Sequence, residues 1–194
     1  MKTLRSSVCA LALIFVSVGV VTAADDFKPE PGYISLFNGK DLTGWGYKTN
    51  NFDGKVASDD GRYSAKDGVL IVHPREPRLM QIIWTTREFP KDFNLKLEFR
   101  AATVNADSGI FVRQPQLQCR DYLVAGPDKY KSLKKYKPQD WNEIEITVKD
   151  GAARCTCNGE VLEEAMKVPA TGPIGLEADR GQMEYRRIRL KESP

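Results

Sequence analysis

The sequence predicts an all-β sandwich, and three observations carry that prediction. Residues 93–100 (FNLKLEFR) and 141–149 (WNEIEITVK) alternate apolar and polar side chains, the pattern of strands with one buried face. Asp67-Gly68, Asp150-Gly151 and Asn158-Gly159 stand between such runs, and these dipeptides readily take the positive φ angles of two-residue hairpins. No long run with helical period survives. About a dozen closely spaced strands and no helix are expected.

At the N-terminus, Lys2 and Arg5 precede an apolar stretch over residues 8–21, and Val21-Thr22-Ala23 offers small residues to signal peptidase. Residues 1–23 therefore read as a secretory signal peptide cleaved after Ala23, with Ala24 the alternative. The apolar stretch falls short of the roughly 20 residues that span a bilayer. An exported protein, periplasmic or extracellular and without a membrane span, is expected. Cleavage takes Lys+Arg from 29 to 27 against 26 Asp+Glu, so the remainder carries about +1. That near-neutrality lacks the basic excess of a nucleic-acid binder. The one basic patch, residues 129–137 (KYKSLKKYK), reads as a solvated loop at a sheet edge. A composition of 41% hydrophobic and 28% charged residues is that of an ordinary globular protein, so a short lead over 24–32 is followed by one sandwich domain over 33–192.

Taken in order, residues 33–37 (YISLF) form the first strand, and the Asn-, Asp- and Gly-rich residues 46–61 a loop. Strands over 62–65 and 69–73 flank the Asp67-Gly68 turn. Residues 80–86 (MQIIWTT) and 93–100 follow, then 109–114 and 116–121. Residues 124–137 are irregular, and 141–149, 173–179 and 184–191 complete the sheets. In the central stretch, Glu98 and Arg100 share one face of their strand, Arg113 lies on the face of Phe111, and Gln118 lies with Arg120. If these strands are neighbours, Glu98, Arg100, Arg113, Gln118 and Arg120 meet on one polar face fit to hold a polar ligand; otherwise the face is simply solvated.

Three cysteines follow the signal peptide. Cys155 and Cys157 are spaced i, i+2 and cannot comfortably bond each other; one could pair with Cys119, or all three could be buried thiols. With no C-x-x-C pattern and His73 the single histidine, a zinc site is not expected. Asp59, Asp60 and Asp107 are hard oxygen donors of the kind calcium takes, but no EF-hand spacing accompanies them, and neither metal nor cofactor is expected.

Several segments together resemble one known family. Residues 37–45 (FNGKDLTGW), 66–70 (KDGVL), 93–100 with 107–113 (DSGIFVR), Trp141-Asn142, Asn158-Gly159, 172–176 (GPIGL) and 183–189 (MEYRRIR) are similar, in order, to signatures of the 3-keto-disaccharide hydrolase or 3-keto-glucoside lyase-hydratase family, formerly domain of unknown function 1080. Asp107 stands where many members carry asparagine, and an aromatic, glycine-rich segment is reduced to residues 122–138. The resemblance implies a concanavalin-like jelly roll of two curved antiparallel sheets. It also implies an oligosaccharide or 3-keto-glycoside ligand, whose C3 ketone acidifies the C2 proton so that the glycosidic bond breaks by elimination and hydration, or by net hydrolysis. That reaction needs a base, an acid and a stabiliser for the enolate oxygen.

Glu98 is the expected carboxylate, with Arg113 beside the enolate and Glu177 as the second carboxylate; Leu176 and Ala178 face away from Glu177. Arg100, Gln118, Arg120, Asp107, Asp121 and Trp84 are the expected substrate contacts, Asp121 only if a bulge reverses its parity. Trp45 and Trp141 are further stacking candidates, and His73 a less favoured base. Two other functions fit the same fold, a non-catalytic carbohydrate-binding module and a cell-surface interaction domain.

Overall fold

The computed structural model describes residues 27–193; the expected signal peptide, its cleavage site and residues 24–26 lie outside the described residues. Among the described residues are fourteen strands and one short helix. In the first half these are β1 (Ile34–Ser35), β2 (Trp45–Tyr47), β3 (Asn50–Asn51), β4 (Tyr63–Lys66), β5 (Val69–Val72), β6 (Gln81–Thr85) and β7 (Phe93–Ala101). They continue with β8 (Asp107–Val112), β9 (Gln116–Arg120), the helix α1 (Asp128–Lys131), β10 (Asn142–Lys149), β11 (Ala152–Cys157) and β12 (Glu160–Lys167). The chain closes with β13 (Ile174–Ala178) and β14 (Met183–Glu192).

Two antiparallel sheets pack face to face. The larger runs β12-β11-β10-β7-β14-β5-β4, with β1 added on β14, and the smaller runs β3-β2-β6-β13-β8-β9. Each expected dipeptide turn is present. Asp67 and Gly68 have φ of 50° and 80°, Asp150 and Gly151 49° and 75°, Asn158 and Gly159 48° and 82°. Positive φ at both central positions matches the right-handed twist of the strands they join.

Period two places Phe93, Leu95, Leu97, Phe99 and Ala101 of β7 in the core, opposite Ile110, Val112, Leu117, Leu176 and Ile83 from the smaller sheet. Burying each large side chain contributes about 1.5–3 kcal/mol. Leu97 is fully buried at the middle of β7. Leu97→Ala is therefore expected to destabilise the fold by about 2–5 kcal/mol, read as a lower urea midpoint. A loss well under 1 kcal/mol would mean that this strand face is not core.

Residues 129–137 are not the solvated loop expected. Tyr130 and Tyr136 are buried, and with Tyr122 and Phe99 they form an aromatic cluster whose ring centroids lie 4.9 to 6.4 Å apart. The lysines of the segment stay outside while its two tyrosines close one end of the sandwich. Residues 33–37 hold only the two-residue β1, paired to β14 through Ile34 and Ser35. Cys119, Cys155 and Cys157 are all buried and unbonded. Burial pushes the thiols of Cys155 and Cys157 up to about 12, which keeps them protonated and inert at neutral pH.

Candidate functional site

The outer face of the smaller sheet carries side chains in rows set by strand register. In one row Trp84 opposes Gly175, Gly175 opposes Phe111, and Phe111 opposes Gln116. In the next, Ile82 opposes Glu177 and Gly109 opposes Gln118. Beyond it Asp107 opposes Arg120, and Asp179 follows the end of β13.

Two glycines shape this face. A Cβ on Gly175 would lie 2.7 Å from the Trp84 ring, so glycine lets the indole lie across β13 beside Phe111, with ring centroids 5.5 Å apart. A Cβ on Gly109 would meet the Gln116 amide at 2.2 Å. The bare backbone there lets Gln116 cross β8 and donate Nε2–H to Glu177 Oε2 at 2.5 Å. Trp84 and Phe111 line a groove of about 1010 Å³ walled by residues 47–51, Glu88, Gln114, Pro169 and residues 171–173.

Glu177 sits above the aromatic row. It is 5% exposed, and Ser108 Oγ donates to its backbone carbonyl at 2.6 Å. Burial, then the neighbouring carboxylates Asp179 and Asp107, raise its carboxyl pKa to about 7, against the smaller opposing pull of Gln116 and Arg78. A buried carboxyl beside two like charges favours its neutral form, and titration near neutrality suits proton transfer. Asp107 accepts from Arg180 NH2 at 2.7 Å and lies 3.4 Å from Arg120 NH1, while Asp179 is gripped by both donor groups of Arg78. Three carboxyls and three guanidiniums thus share a small, partly desolvated patch.

Of the residues expected from sequence, Glu177, Asp107, Trp84, Gln118 and Arg120 stand together on this face. Arg78, Asp179, Arg180, Phe111 and Gln116 join them and were not expected site residues. Asp179 had a legible signal, since Glu177 and Asp179 are spaced i, i+2 on one strand face; Arg78 comes from a loop and had none.

The shared polar face expected across β7, β8 and β9 does not form. Strands β7 and β8 belong to different sheets, so Glu98 and Arg100 lie on the outer face of the larger one, across the sandwich from Glu177. There Glu98 accepts from Arg186 Nε at 2.6 Å and from Arg187 NH1 at 3.0 Å. A bulge at Arg187, with φ of 53° and a register shift in β14, brings both arginines to it. Arg100 donates Nε–H to Glu184 at 2.8 Å and, with Arg186, packs on Trp141.

Arg113 leaves β8 at φ of 64° and turns inward, donating to the carbonyls of Pro169 at 2.7 Å and Lys91 at 2.5 Å and stacking on Phe93. It braces two loops at the groove's end. No bulge rotates Asp121 onto the site face: β9 ends at Arg120, and Asp121 anchors the following turn by accepting from the Leu123 N–H at 3.1 Å and from Gln139 at 2.5 Å. Trp45 is core, its indole N–H donated to the Leu36 carbonyl, and His73 pairs with Ser64 at 2.7 Å. Among the described residues no group of three or more His, Cys, Asp or Glu is placed to hold a metal ion, and no helix is long and apolar enough to cross a membrane.

The fold recurs in solved structures. A proposed glycosyl hydrolase from Parabacteroides distasonis ATCC 8503, solved at 1.70 Å, aligns with a TM-score of 0.64 at 19% identity, covering 84% of this chain and 95% of its own. A second from the same strain, at 2.00 Å, aligns at 0.60 with 20% identity, covering 83% and 99%. The exoplasmic/lumenal domain of VIP36, in a form bound to Ca²⁺ and Man3GlcNAc, aligns at 0.51 with 10% identity over 84% and 89%. At these identities the likeness is one of fold. No curated protein matches the chain. The family profile described as a 3-keto-alpha-glucoside-1,2-lyase-like domain matches residues 32–191, nearly all of the sandwich, and the chain belongs to that family.

Proposed function

We propose that this protein is exported and cleaves glycosides whose sugar is already oxidised to a ketone at C3, with Glu177 as the proton-transferring group. The observation that carries this reading is a nearly buried carboxyl, raised to about 7, one register row along the sheet face from Trp84 and Phe111, which line a groove of about 1010 Å³. The sugar ring stacks on Trp84 and Phe111, while the hydroxyl and amide groups of residues 49–51, Gln114 and Thr171 meet its hydroxyls. Glu177 in its ionised form takes the C2 proton. The guanidiniums of Arg78, Arg120 and Arg180 supply the positive field in which the enolate oxygen forms, a contribution of roughly 10²–10³ per well-placed donor. The C1 substituent then departs as its alcohol, its oxygen taking the proton that Glu177 accepted from C2, and water adds across the C1–C2 double bond of the unsaturated ketone. Glu98 and Arg113 have no part in this chemistry: one is held in ion pairs across the sandwich, the other braces loop carbonyls.

The test is incubation of the chain from Ala24 onward with a 3-keto-disaccharide and with its C3-reduced counterpart. Only the ketone is cleaved, and kcat/KM rises with pH through about 7 as Glu177 loses its proton. Equal cleavage of the reduced sugar, or a rate flat between about pH 5 and 9, would remove the reading. A carbohydrate-binding role without catalysis is favoured by the same aromatic floor, and it predicts saturable binding of unmodified oligosaccharides with no product.

A further inference from the structure

Strand β13 pairs with β8 in regular register from Ile174 opposite Val112 to Leu176 opposite Ile110. Their next contact is a single bridge between Asp107 and Arg180. It is closed by the Asp107 N–H to the Arg180 carbonyl at 2.8 Å and the Arg180 N–H to the Asp107 carbonyl at 3.3 Å. From Ile110 back to Asp107 is three residues, whereas from Leu176 to Arg180 is four. One extra residue is therefore inserted after Leu176, and Glu177, Ala178 and Asp179 form a bulge opposite Ser108 and Gly109. The insertion changes which way side chains point. In an unbroken strand residues 176 and 180 would share a face. Leu176 is fully buried, yet Arg180 reaches Asp107 on the outer face, donating from NH2 at 2.7 Å. The bulge thus gathers Glu177, Asp179 and Arg180 on one surface. There Asp107 from β8, Arg120 from β9 and Arg78 from the loop before β6 meet them.

Two core hydroxyls stand behind the bulge. Ser108 Oγ lies 2.6 Å from the Glu177 carbonyl and 2.6 Å from Tyr185 Oη, and both side chains are fully buried. A carbonyl can only accept, so the serine proton goes to Glu177 and the tyrosine proton goes to the serine. Tyr185 belongs to β14 of the larger sheet, so this chain of hydrogen bonds crosses the sandwich and ties the bulge to the opposite layer. On the other flank of β13, Tyr63 of β4 also crosses the core. Its hydroxyl accepts from the Ile83 N–H at 3.2 Å and lies 2.9 Å from the carbonyls of Leu176 and Gln81. There β13 and β6 keep an unbroken register.

We propose that Ser108 and Tyr185 are positioning residues, whose paired hydroxyls hold the bulge that gathers Glu177, Asp179 and Arg180 on the site face. Their effect on catalysis rests on the reaction proposed above, while the hold on Glu177 stands on geometry alone. Without the pair the Glu177 carbonyl loses a buried donor, and the bulge must relax to find another. Glu177 then moves relative to the carboxylates of Asp107 and Asp179, and its carboxyl returns toward the ordinary range. Trp84 and Phe111 flank Gly175 in the regular part of the sheet, so the stacking surface stays in place.

The experiment follows the Glu177 carboxyl by carbon-13 NMR in glutamate-labelled protein, with Glu177→Gln identifying the signal. Ser108→Ala and Tyr185→Phe each remove one oxygen atom from the core. They are compared with Tyr63→Phe, which removes a buried hydroxyl from the regular flank. The native titration midpoint of about 7 is expected to fall by roughly one pH unit or more in the first two variants and to hold in the third. With a 3-keto-disaccharide, the high-pH plateau of kcat falls roughly tenfold or more in Ser108→Ala and Tyr185→Phe, while KM stays near its native value. Where a single variant fails to fold, the double variant carries the same test, because it leaves neither hydroxyl without its mate. A native midpoint in the variants that lack the pair, or an equal fall in Tyr63→Phe, overturns the inference while leaving the proposed reaction intact. If no form of the protein cleaves the ketone, the proposed reaction falls, and the midpoints still decide whether the hydroxyl pair positions Glu177.

Discussion

Glu177→Gln is expected to lower turnover of a 3-keto-glycoside by roughly 10²–10⁴-fold while leaving sugar binding in place. The amide keeps the size and most of the hydrogen bonding of the carboxyl, including a contact with Gln116, but cannot take a proton. The same variant carries an independent stability signature. Because the folded-state pKa is raised from 4.5 to about 7, the native protein binds this proton more tightly than the unfolded chain does. Stability from that difference is fully present below about pH 4.5 and is lost as pH rises through about 7. Glutamine is neutral at every pH, so the variant should match the native protein near pH 4.5 and exceed it at pH 8 by up to about 3 kcal/mol. Urea unfolding at the two pH values measures this. A loss of turnover with no pH-dependent stability difference would mean that Glu177 is ionised normally and that the rate loss has another cause.

Gly175→Ala should damage the site without touching any polar group. The added methyl would sit 2.7 Å from the Trp84 ring, and the same carbon would meet Ile82 at 2.9 Å, so the indole must lift away from Phe111. Overpacking of this kind costs about 1–3 kcal/mol of stability. Displacing the stacking surface should weaken sugar binding roughly tenfold, since aromatic contacts contribute about a kcal/mol or more each. Calorimetric titration with the preferred sugar checks the binding loss, and near-ultraviolet circular dichroism checks the indole's movement. Unchanged affinity would show that Trp84 is not where the ring stacks.

The ion pairs of the exposed guanidiniums of Arg78 and Arg180 are poor guides to stability, because ion pairs open to water contribute roughly 0–1 kcal/mol. Arg78, whose side chain is 58% exposed, belongs in that class, so its pair with Asp179 is better understood as positioning the Arg78–Met80 segment than as holding the fold.

Much of the fold was legible in the sequence because local physics decides it. Period-two alternation in residues 93–100 and 142–149 dictates which side chains are core, and three dipeptide turns with positive φ dictate where the chain reverses. The same rule told that Glu177 points away from Leu176 and Ala178, and that Gln118 and Arg120 share a face. Alternation does not say which sheet a strand joins. Residues 102–106 carry the chain from the larger sheet to the smaller, so Glu98 ends on another surface, while Arg113 leaves β8 at a positive φ and turns inward. Nor does alternation reveal partners contributed by loops. Arg78 reaches Asp179 from 101 residues away, and Arg180 and Arg120 meet on Asp107. In and out are properties of one strand's pleat and can be read along the chain. The company a side chain keeps depends on register between strands distant in sequence, and that is settled only when the two sheets bury their shared core.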